Sequence, residues 1–196
     1  QKTAAFEIVE VLGDAPDFHI VPVGNAGNYT AYTRGYTEEL TRGATTRLPR
    51  MFGFQAEGSA PIVRGHIITN PETIASAIRI GNPASWALAT AAREATDGYF
   101  GAISDKLILQ AHRILSAEVG VFVEPASAIG VAGLLERSEA GAIPKGATIV
   151  ITVTGHGLKD PQWAVRNADG TDVTPIVVPK DTAEVASALG LSKTPA

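Results

Sequence analysis

Residues 18–28, Phe18-His19-Ile20-Val21-Pro22-Val23-Gly24-Asn25-Ala26-Gly27-Asn28, join a short apolar run to a glycine-rich turn. The run at residues 18–23 is rich in β-branched side chains, which predicts a buried strand. A helix is expected to begin near Tyr29, directly after the turn. Ligands bind beyond the carboxyl ends of the strands in open parallel sheets, so this turn is the first candidate binding site.

Strand and helix patterns alternate along the rest of the chain. Further strands are predicted at residues 50–55, 121–123 and 148–153, and helices at residues 5–12, 86–95 and 181–188 and after Glu124. Alternation of this kind indicates βαβ units. The predicted fold class is therefore α/β, with a mainly parallel twisted sheet and helices on both faces.

Two further helices are predicted from their boundary signals. Asn70 followed by Pro71 is typical of a helix cap and first helical position, and Gly81 would end that helix. Ser104 is a candidate cap for a helix that ends before Gly120. Residues 35–46 are polar and are predicted to form a loop.

The composition narrows the class of protein. The 196 residues are 45% hydrophobic and 18% charged, with a net charge of −4, which is typical of a folded enzyme domain. There is no basic stripe and no long apolar run, so neither nucleic acid nor a membrane is an expected partner. Cysteine is absent and the four histidines lack metal-ligand spacing, so no metal site is expected. Cytoplasm is the default compartment.

The turn at residues 24–28 suits a phosphate group. Glycine lets the backbone approach an anion closely, and the N–H groups at a helix start point towards it. The third glycine of a dinucleotide fingerprint is absent, and so is the Gly-Lys-Ser/Thr of a Walker loop. An ordinary strand-to-helix turn is the alternative, and the motif alone does not decide between them.

A second turn, at residues 154–157, reads Thr154-Gly155-His156-Gly157 and follows the clearest predicted strand. A hydroxyl at a strand end can present its oxygen to a flat ligand that lies on the turn. The alternative is that Thr154 caps the following helix, which on this motif alone is favoured. Ser85 and Ser127 both follow Pro-Ala, but neither lies in the Gly-x-Ser-x-Gly elbow of a serine hydrolase.

Taken together, the ordered segments resemble the threonine synthases, a family of tryptophan-synthase-β-like (fold type II) enzymes that depend on pyridoxal phosphate. The resemblance runs in family order through most of the chain up to Pro161. The matching stretches are residues 1–7, 22–28, 48–51, 77–86, 123–128 and 152–160. It implies that the chain is the C-terminal portion of the enzyme's large domain, with residues 162–196 as a C-terminal extension.

The resemblance also implies roles for the two turns. The first would hold the 5′-phosphate of the cofactor, and the hydroxyl of the second would hydrogen-bond the pyridine nitrogen. The implied cofactor-binding residues are Gly24, Asn25, Ala26, Gly27, Asn28 and Thr154. Enzymes of this family are lyases of threonine biosynthesis, which convert O-phosphohomoserine and water into threonine and phosphate with the cofactor as electron sink.

The chain departs from the family pattern in one large respect. The Ser-Phe-Lys-Asp-Arg-Gly motif of the Schiff-base lysine is absent, as is the Ser-Thr-Gly-Asn loop that flanks the ring. None of the six lysines lies in such a motif; Lys159 is nearest to the second turn but matches a different family position. We therefore expect no catalytic residue in this chain and no activity without the missing N-terminal half. Other expected partners are O-phosphohomoserine and a second copy in a homodimer.

Two other functions stay open. A related threonine or serine dehydratase would use the same cofactor, although residues 80–86 and 155–160 favour the synthase. A non-catalytic module could instead hold a phosphorylated ligand on the turn at residues 24–28. A complementary chain with the lysine motif would count against that module.

Overall fold

The computed structural model describes residues 1–163, 165–166, 171–174 and 176–191. The chain divides into two compact units, Gln1–Pro161 and Gln162–Ala196. The second unit has the bounds of the extension predicted at residues 162–196, whose role as an extension stays a prediction. Positions 164, 167–170, 175 and 192–196 lie outside the described residues. None of the helices among these described residues has the length and apolar character that a membrane span needs.

The first unit contains four strands and six α-helices among its described residues. The strands are β1 (Phe18–Pro22), β2 (Arg50–Ala56), β3 (Tyr99–Ile103) and β4 (Ile149–Ile151). The helices are α1 (Thr3–Leu12), α2 (Gly27–Thr41), α3 (Pro61–Arg64), α4 (Trp86–Ala95), α5 (Asp105–Ile114) and α6 (Pro125–Glu139). In the second unit, α7 (Thr182–Ala188) agrees with the helix predicted at residues 181–188, and the Asp181 side chain accepts the amides of Ala183 and Glu184.

The strands form one sheet in the order β3-β2-β1-β4, and all three neighbouring pairs are parallel. Ile20 of β1 lies opposite Phe52 of β2 on one side and Ile151 of β4 on the other. All five residues of β1 are buried, as expected for a strand inside a parallel sheet. The predicted parallel sheet is confirmed.

Helices cover both faces of the sheet. Successive side chains of a strand point to opposite faces, so Ile20 and Val21 belong to different cores. Ile20 packs in a cluster with Ile108 of α5 and Ile129 of α6. Val21 packs in a second cluster with tyrosines of α2 and with alanines of α1 and α4. The predicted α/β layering is confirmed.

The loop predicted at residues 35–46 is wrong, because α2 continues to Thr41. Its buried face is made of Tyr29, Tyr32 and Tyr36, which repeat at helical spacing but are less apolar than the aliphatic residues that usually mark a core helix. Gly35 lets α1 approach closely, since a Cβ there would lie 2.5 Å from a carbonyl oxygen at the start of α1. Packing against α1 therefore stabilises a helix whose sequence is polar.

The helix predicted from Asn70 is also wrong. Residues 70–81 contain one 3₁₀ turn, Ser76–Ile78, and no α-helix. The amide of Ile74, which a helix would use internally, instead donates to Asp105 Oδ2 at 3.1 Å. Tertiary partners for the backbone thus override the local cap signal.

The sheet differs from the sequence prediction at two places. Residues 121–123 do not form a strand; Val123 makes a single antiparallel bridge to His156. Strand β3 was not predicted, because its sequence Tyr-Phe-Gly-Ala-Ile shows neither alternation nor a β-branched run. As an edge strand it is held by pairing with β2.

Two helix predictions hold closely. Helix α4 spans Trp86–Ala95, as expected. Ser104 accepts the Leu107 N–H at 3.4 Å and caps α5, and Gly120 closes the helical segment in the left-handed conformation with φ of 76°. Local capping chemistry decides these boundaries.

A buried hydrogen-bond chain crosses the β1–α2 face of the sheet. The ring of His19 is fully buried and stacks on Tyr32, with 5.1 Å between ring centroids. Its Nε2 lies 2.7 Å from Thr152 Oγ1, and its Nδ1 lies 3.0 Å from the Tyr36 hydroxyl. Burial lowers the pKa of His19 from 6.5 to about 4.

We expect the protein to lose stability as the pH falls from 6.5 to about 4. In that window the unfolded chain binds a proton at His19 while the folded protein resists it, so the free energy of unfolding falls by about 3 kcal/mol. Urea unfolding at pH 7.0 and 4.5 would measure the loss. His19→Gln should show a smaller pH dependence, and the exposed His66→Gln should match the wild type. Equal pH dependence in all three proteins would contradict the prediction.

Candidate functional site

The turns that follow β1 and β4 lie at the same end of the sheet, beyond the carboxyl ends of the strands, because the two strands are parallel neighbours. Both turns line one cavity of about 300 Å³. The structure brings to it all six residues predicted for the site, Gly24, Asn25, Ala26, Gly27, Asn28 and Thr154. Their role as cofactor ligands stays a prediction.

The turn at residues 24–28 ends in a helix start that faces the cavity. Helix α2 begins at Gly27, two residues earlier than predicted, and Ala26 precedes it in the left-handed conformation with φ of 62°. Within the described part of the chain, the amides of residues 24–28 donate to no protein acceptor. Unpaired amides at a helix start are available to an anion.

The two glycines of this turn differ in what surrounds them. A Cβ on Gly24 would lie 3.1 Å from Ile80 Cδ1 and 3.2 Å from Ala77 O, so a side chain there would be packed tightly against the protein itself. A Cβ on Gly27 would meet only Gln1 Oε1, at 3.9 Å. Gly27 therefore keeps open a space that the protein does not fill, which fits close approach of a phosphate to the backbone.

The two asparagines of the turn hold its shape. Asn28 Nδ2 donates to Pro22 O at 2.8 Å. Asn25 Oδ1 accepts the Ala84 N–H, and its carbonyl oxygen accepts the Ser85 N–H, each at 3.1 Å. These contacts fix the backbone of the turn, whose amides remain available to an anion.

Thr154 lies on the second turn with its side chain exposed at the cavity. Its Oγ1 lies 2.9 Å from the Oγ of Ser127, which also accepts the Gly155 N–H at 2.7 Å. Thr154 does not cap the helical turn that follows, because His156 is the cap and its Nδ1 accepts the Leu158 N–H at 3.2 Å. Thr154 therefore lines the cavity and does not serve as a helix cap.

An ion pair that the sequence did not reveal also lines the cavity. Glu124 is buried, and Lys159 Nζ lies 3.2 Å from its Oε1 and 3.1 Å from its Oε2. A Cβ on Gly155 would overlap the Glu124 carboxylate, which explains the glycine after Thr154. The two charged residues are 35 positions apart, so no local spacing signals the pair.

The parallel sheet and the two turns at the carboxyl ends of its strands define an α/β protein with a candidate anion-binding site. A family model for pyridoxal-phosphate dependent enzymes matches residues 1–155. The chain belongs to this family. The fold type II resemblance seen in the sequence is confirmed, and pyridoxal phosphate is the cofactor that the family implies.

Curated relatives are similar to this chain over nearly its whole length. Threonine synthase of Mycobacterium tuberculosis (strain ATCC 25618 / H37Rv) is 54% identical over 192 residues, which cover 98% of this chain and 52% of the relative. Threonine synthase of Synechocystis sp. (strain ATCC 27184 / PCC 6803 / Kazusa) is 55% identical over 190 residues, 97% of this chain and 49% of the relative. The chain spans about half the length of these relatives.

Solved structures show the same fold at low sequence identity. A threonine deaminase from T.th. superposes with a TM-score of 0.60 and 22% identity, over 79% of this chain and 56% of that one. A fungal L-serine ammonia-lyase from Rhizomucor miehei gives a TM-score of 0.68 and 19% identity, over 83% of this chain and 54% of that one. Likeness at this level concerns the fold alone.

Proposed function

We propose that this chain is the C-terminal part of a threonine synthase, a pyridoxal-phosphate-dependent lyase that converts O-phosphohomoserine and water into threonine and phosphate. The observation that carries the proposal is the convergence of the amides at residues 24–28 and the Thr154 hydroxyl on one cavity. The threonine synthases similar to it, at 54% and 55% identity, support the choice of reaction.

In this proposal the first turn holds the cofactor phosphate. The amides of residues 24–28 lie at the N-terminus of α2, where the helix dipole adds to their attraction for an anion. Asn28, anchored to Pro22, keeps the turn in place, and Gly27 keeps its surface open. The protein thus fixes one end of the cofactor through its backbone.

The second turn orients the cofactor ring. The Thr154 hydroxyl would donate a hydrogen bond to the pyridine nitrogen. A neutral hydroxyl does not keep that nitrogen protonated, as a carboxylate would. When bound, pyridoxal phosphate supplies an electron sink for the charge that remains as protons leave the substrate. Proton transfer itself needs a lysine that this chain does not carry in the family motif.

Domain organisation and partners belong to the same proposal. Residues 1–161 would be the C-terminal portion of the large domain, and residues 162–196 an extension; the boundary between compact units after Pro161 supports this division. The N-terminal half of the enzyme would complete the site. Homodimer formation and a cytoplasmic location complete the proposal.

A substrate comparison tests the reaction. We expect the chain, combined with the segment that carries the Schiff-base lysine motif, to release phosphate from O-phosphohomoserine. Its release of ammonia from threonine or serine should be slower by a factor of roughly 100 or more. A site built for a phosphorylated substrate discriminates by contacts that these shorter amino acids lack. Coupled assays for phosphate and for ammonia would measure both rates.

The outcome also decides between the alternatives. Faster ammonia release than phosphate release would indicate a threonine or serine dehydratase. Pyridoxal phosphate binding without turnover of any of the three amino acids would indicate a non-catalytic module. The solved structures with related lyase activities do not favour the dehydratase, because their identities of 22% and 19% concern the fold alone.

A further inference from the structure

Two hydroxyl groups meet at the edge of the cavity. Ser127 lies in the first turn of α6 and is fully buried, whereas Thr154 is exposed at the cavity. Their oxygens are 2.9 Å apart, so one of the two hydroxyl protons lies between them. Gly155 N–H also donates to Ser127 Oγ, at 2.7 Å.

A count of donors and acceptors decides which hydroxyl donates. Among the described residues, Thr154 Oγ1 is the one acceptor within hydrogen-bonding distance of Ser127 Oγ. If Thr154 donated, the proton of Ser127 would be buried without an acceptor, which proteins disfavour. If Ser127 donates, its proton has an acceptor and its oxygen accepts the Gly155 N–H, and the Thr154 proton is left on the exposed side.

We propose that Ser127 is a positioning residue that donates to Thr154 Oγ1 and so directs the Thr154 proton into the cavity. The site then presents a hydrogen-bond donor and takes a ligand atom with a lone pair, such as an unprotonated ring nitrogen. The orientation of the hydroxyls rests on geometry, while the identity of the ligand rests on the proposed function.

Backbone hydrogen bonds around Ser127 and Thr154 hold the two hydroxyls next to each other. Glu124 N–H donates to Gly155 O at 3.0 Å, and Gly157 N–H donates to the Phe122 carbonyl at 3.2 Å. With the Gly155–Ser127 bond, these contacts join the second turn to the start of α6. The backbone at Thr154 is therefore fixed. The hydrogen bond from Ser127 then sets the rotation of the Thr154 hydroxyl proton about the C–O bond.

Hydroxyl exchange in the 196-residue chain tests the orientation without any ligand. In an equal mixture of H₂O and D₂O, a slowly exchanging hydroxyl splits the ¹³C resonance of its Cβ into two lines. We expect two lines for Ser127 and one averaged line for Thr154. Any other pattern overturns the proposal: a split line for Thr154 means that its proton is held within the protein, and an averaged line for Ser127 means that its proton is not.

Ligand affinity tests the consequence. The probes are pyridoxine 5′-phosphate and its analogue with C–H in place of the ring nitrogen. The chain combined with the segment that carries the lysine motif should prefer the nitrogen compound by roughly 3- to 10-fold, the value of one neutral hydrogen bond. Ser127→Ala should bring that ratio close to one, and Thr154→Ser should keep it. Ser138→Ala, a change on the same helix outside the cavity, should leave the ratio unchanged.

The hydroxyl-exchange experiment and the ligand-affinity experiment together test the inference separately from the proposed function. A wild-type preference that persists in Ser127→Ala overturns the positioning role and leaves the function intact. Failure of the wild type to bind either probe, with the expected Ser127 exchange pattern, overturns the proposed cofactor site and supports the hydroxyl orientation. A loss of inorganic phosphate binding in Ser127→Ala would show a general structural defect, and it would also overturn the positioning role.

Discussion

The 196-residue chain by itself is expected to release no detectable phosphate from O-phosphohomoserine and to form no threonine. Catalysis of this kind needs a lysine placed against the cofactor aldehyde. The chain lacks the family's lysine motif, and Lys159, which lines the cavity, is held by the buried Glu124 carboxylate at 3.1 Å. Addition of the segment that carries the motif should restore phosphate release, measured by a coupled assay.

Covalent trapping shows which lysine meets the cofactor. The chain is mixed with pyridoxal phosphate and reduced with borohydride, and modified lysines are mapped by mass spectrometry. We expect low, scattered labelling of the isolated chain, equal in the wild type, Lys159→Met and the control Lys145→Met. Strong labelling of Lys159 with turnover of O-phosphohomoserine, both lost in Lys159→Met, would show that this chain carries its own catalytic lysine.

Gly27→Leu is expected to weaken binding of pyridoxine 5′-phosphate on the order of 100-fold in the chain combined with the lysine-bearing segment. The leucine side chain would occupy the space above the amides at residues 24–28 and keep a phosphate from reaching them; loss of one or two charge-assisted hydrogen bonds is worth about 3 kcal/mol. A Cβ at this position meets no protein atom closer than 3.9 Å, so the melting temperature should change little. Calorimetric titration would measure the affinity.

Ala31→Leu is the matched control for this variant. Ala31 lies one helical turn further along α2 and lines a different cavity, with Lys2 and Leu88. The same side chain at this position should leave affinity for pyridoxine 5′-phosphate unchanged. Equal affinity of Gly27→Leu and the wild type would contradict the assignment of the first turn to the phosphate.

Local chemistry made much of the fold predictable. The buried run of β1, the Ser104 cap and the span Trp86–Ala95 depend on neighbours within a few residues, which a reader of the sequence can see. The ordered motifs at both turns were also sufficient to indicate the family, because each motif is continuous in the chain. These features depend on periodicity, capping and motifs that are each local in the sequence.

Elements held by distant partners were not predictable in the same way. Helix α2 is longer than its polar sequence suggests, because its tyrosine face packs on α1 and the sheet. Residues 70–81 do not form the predicted helix, because the amide N–H of Ile74 donates to Asp105 instead. In both cases the free energy of tertiary contacts exceeds the small local preference.

The α/β class, the parallel sheet, the family and the six residues predicted to contact the cofactor were all predictable from local patterns in the chain. Folding brings these six residues to one cavity, pairs Lys159 with Glu124 and places Ser127 beside Thr154. Local patterns do not reveal such contacts, because the partners lie far apart along the chain. Periodicity and caps act between residues a few positions apart, whereas these pairs are separated by 35 and 27 positions. Strand pairing and helix packing bring them within hydrogen-bonding distance.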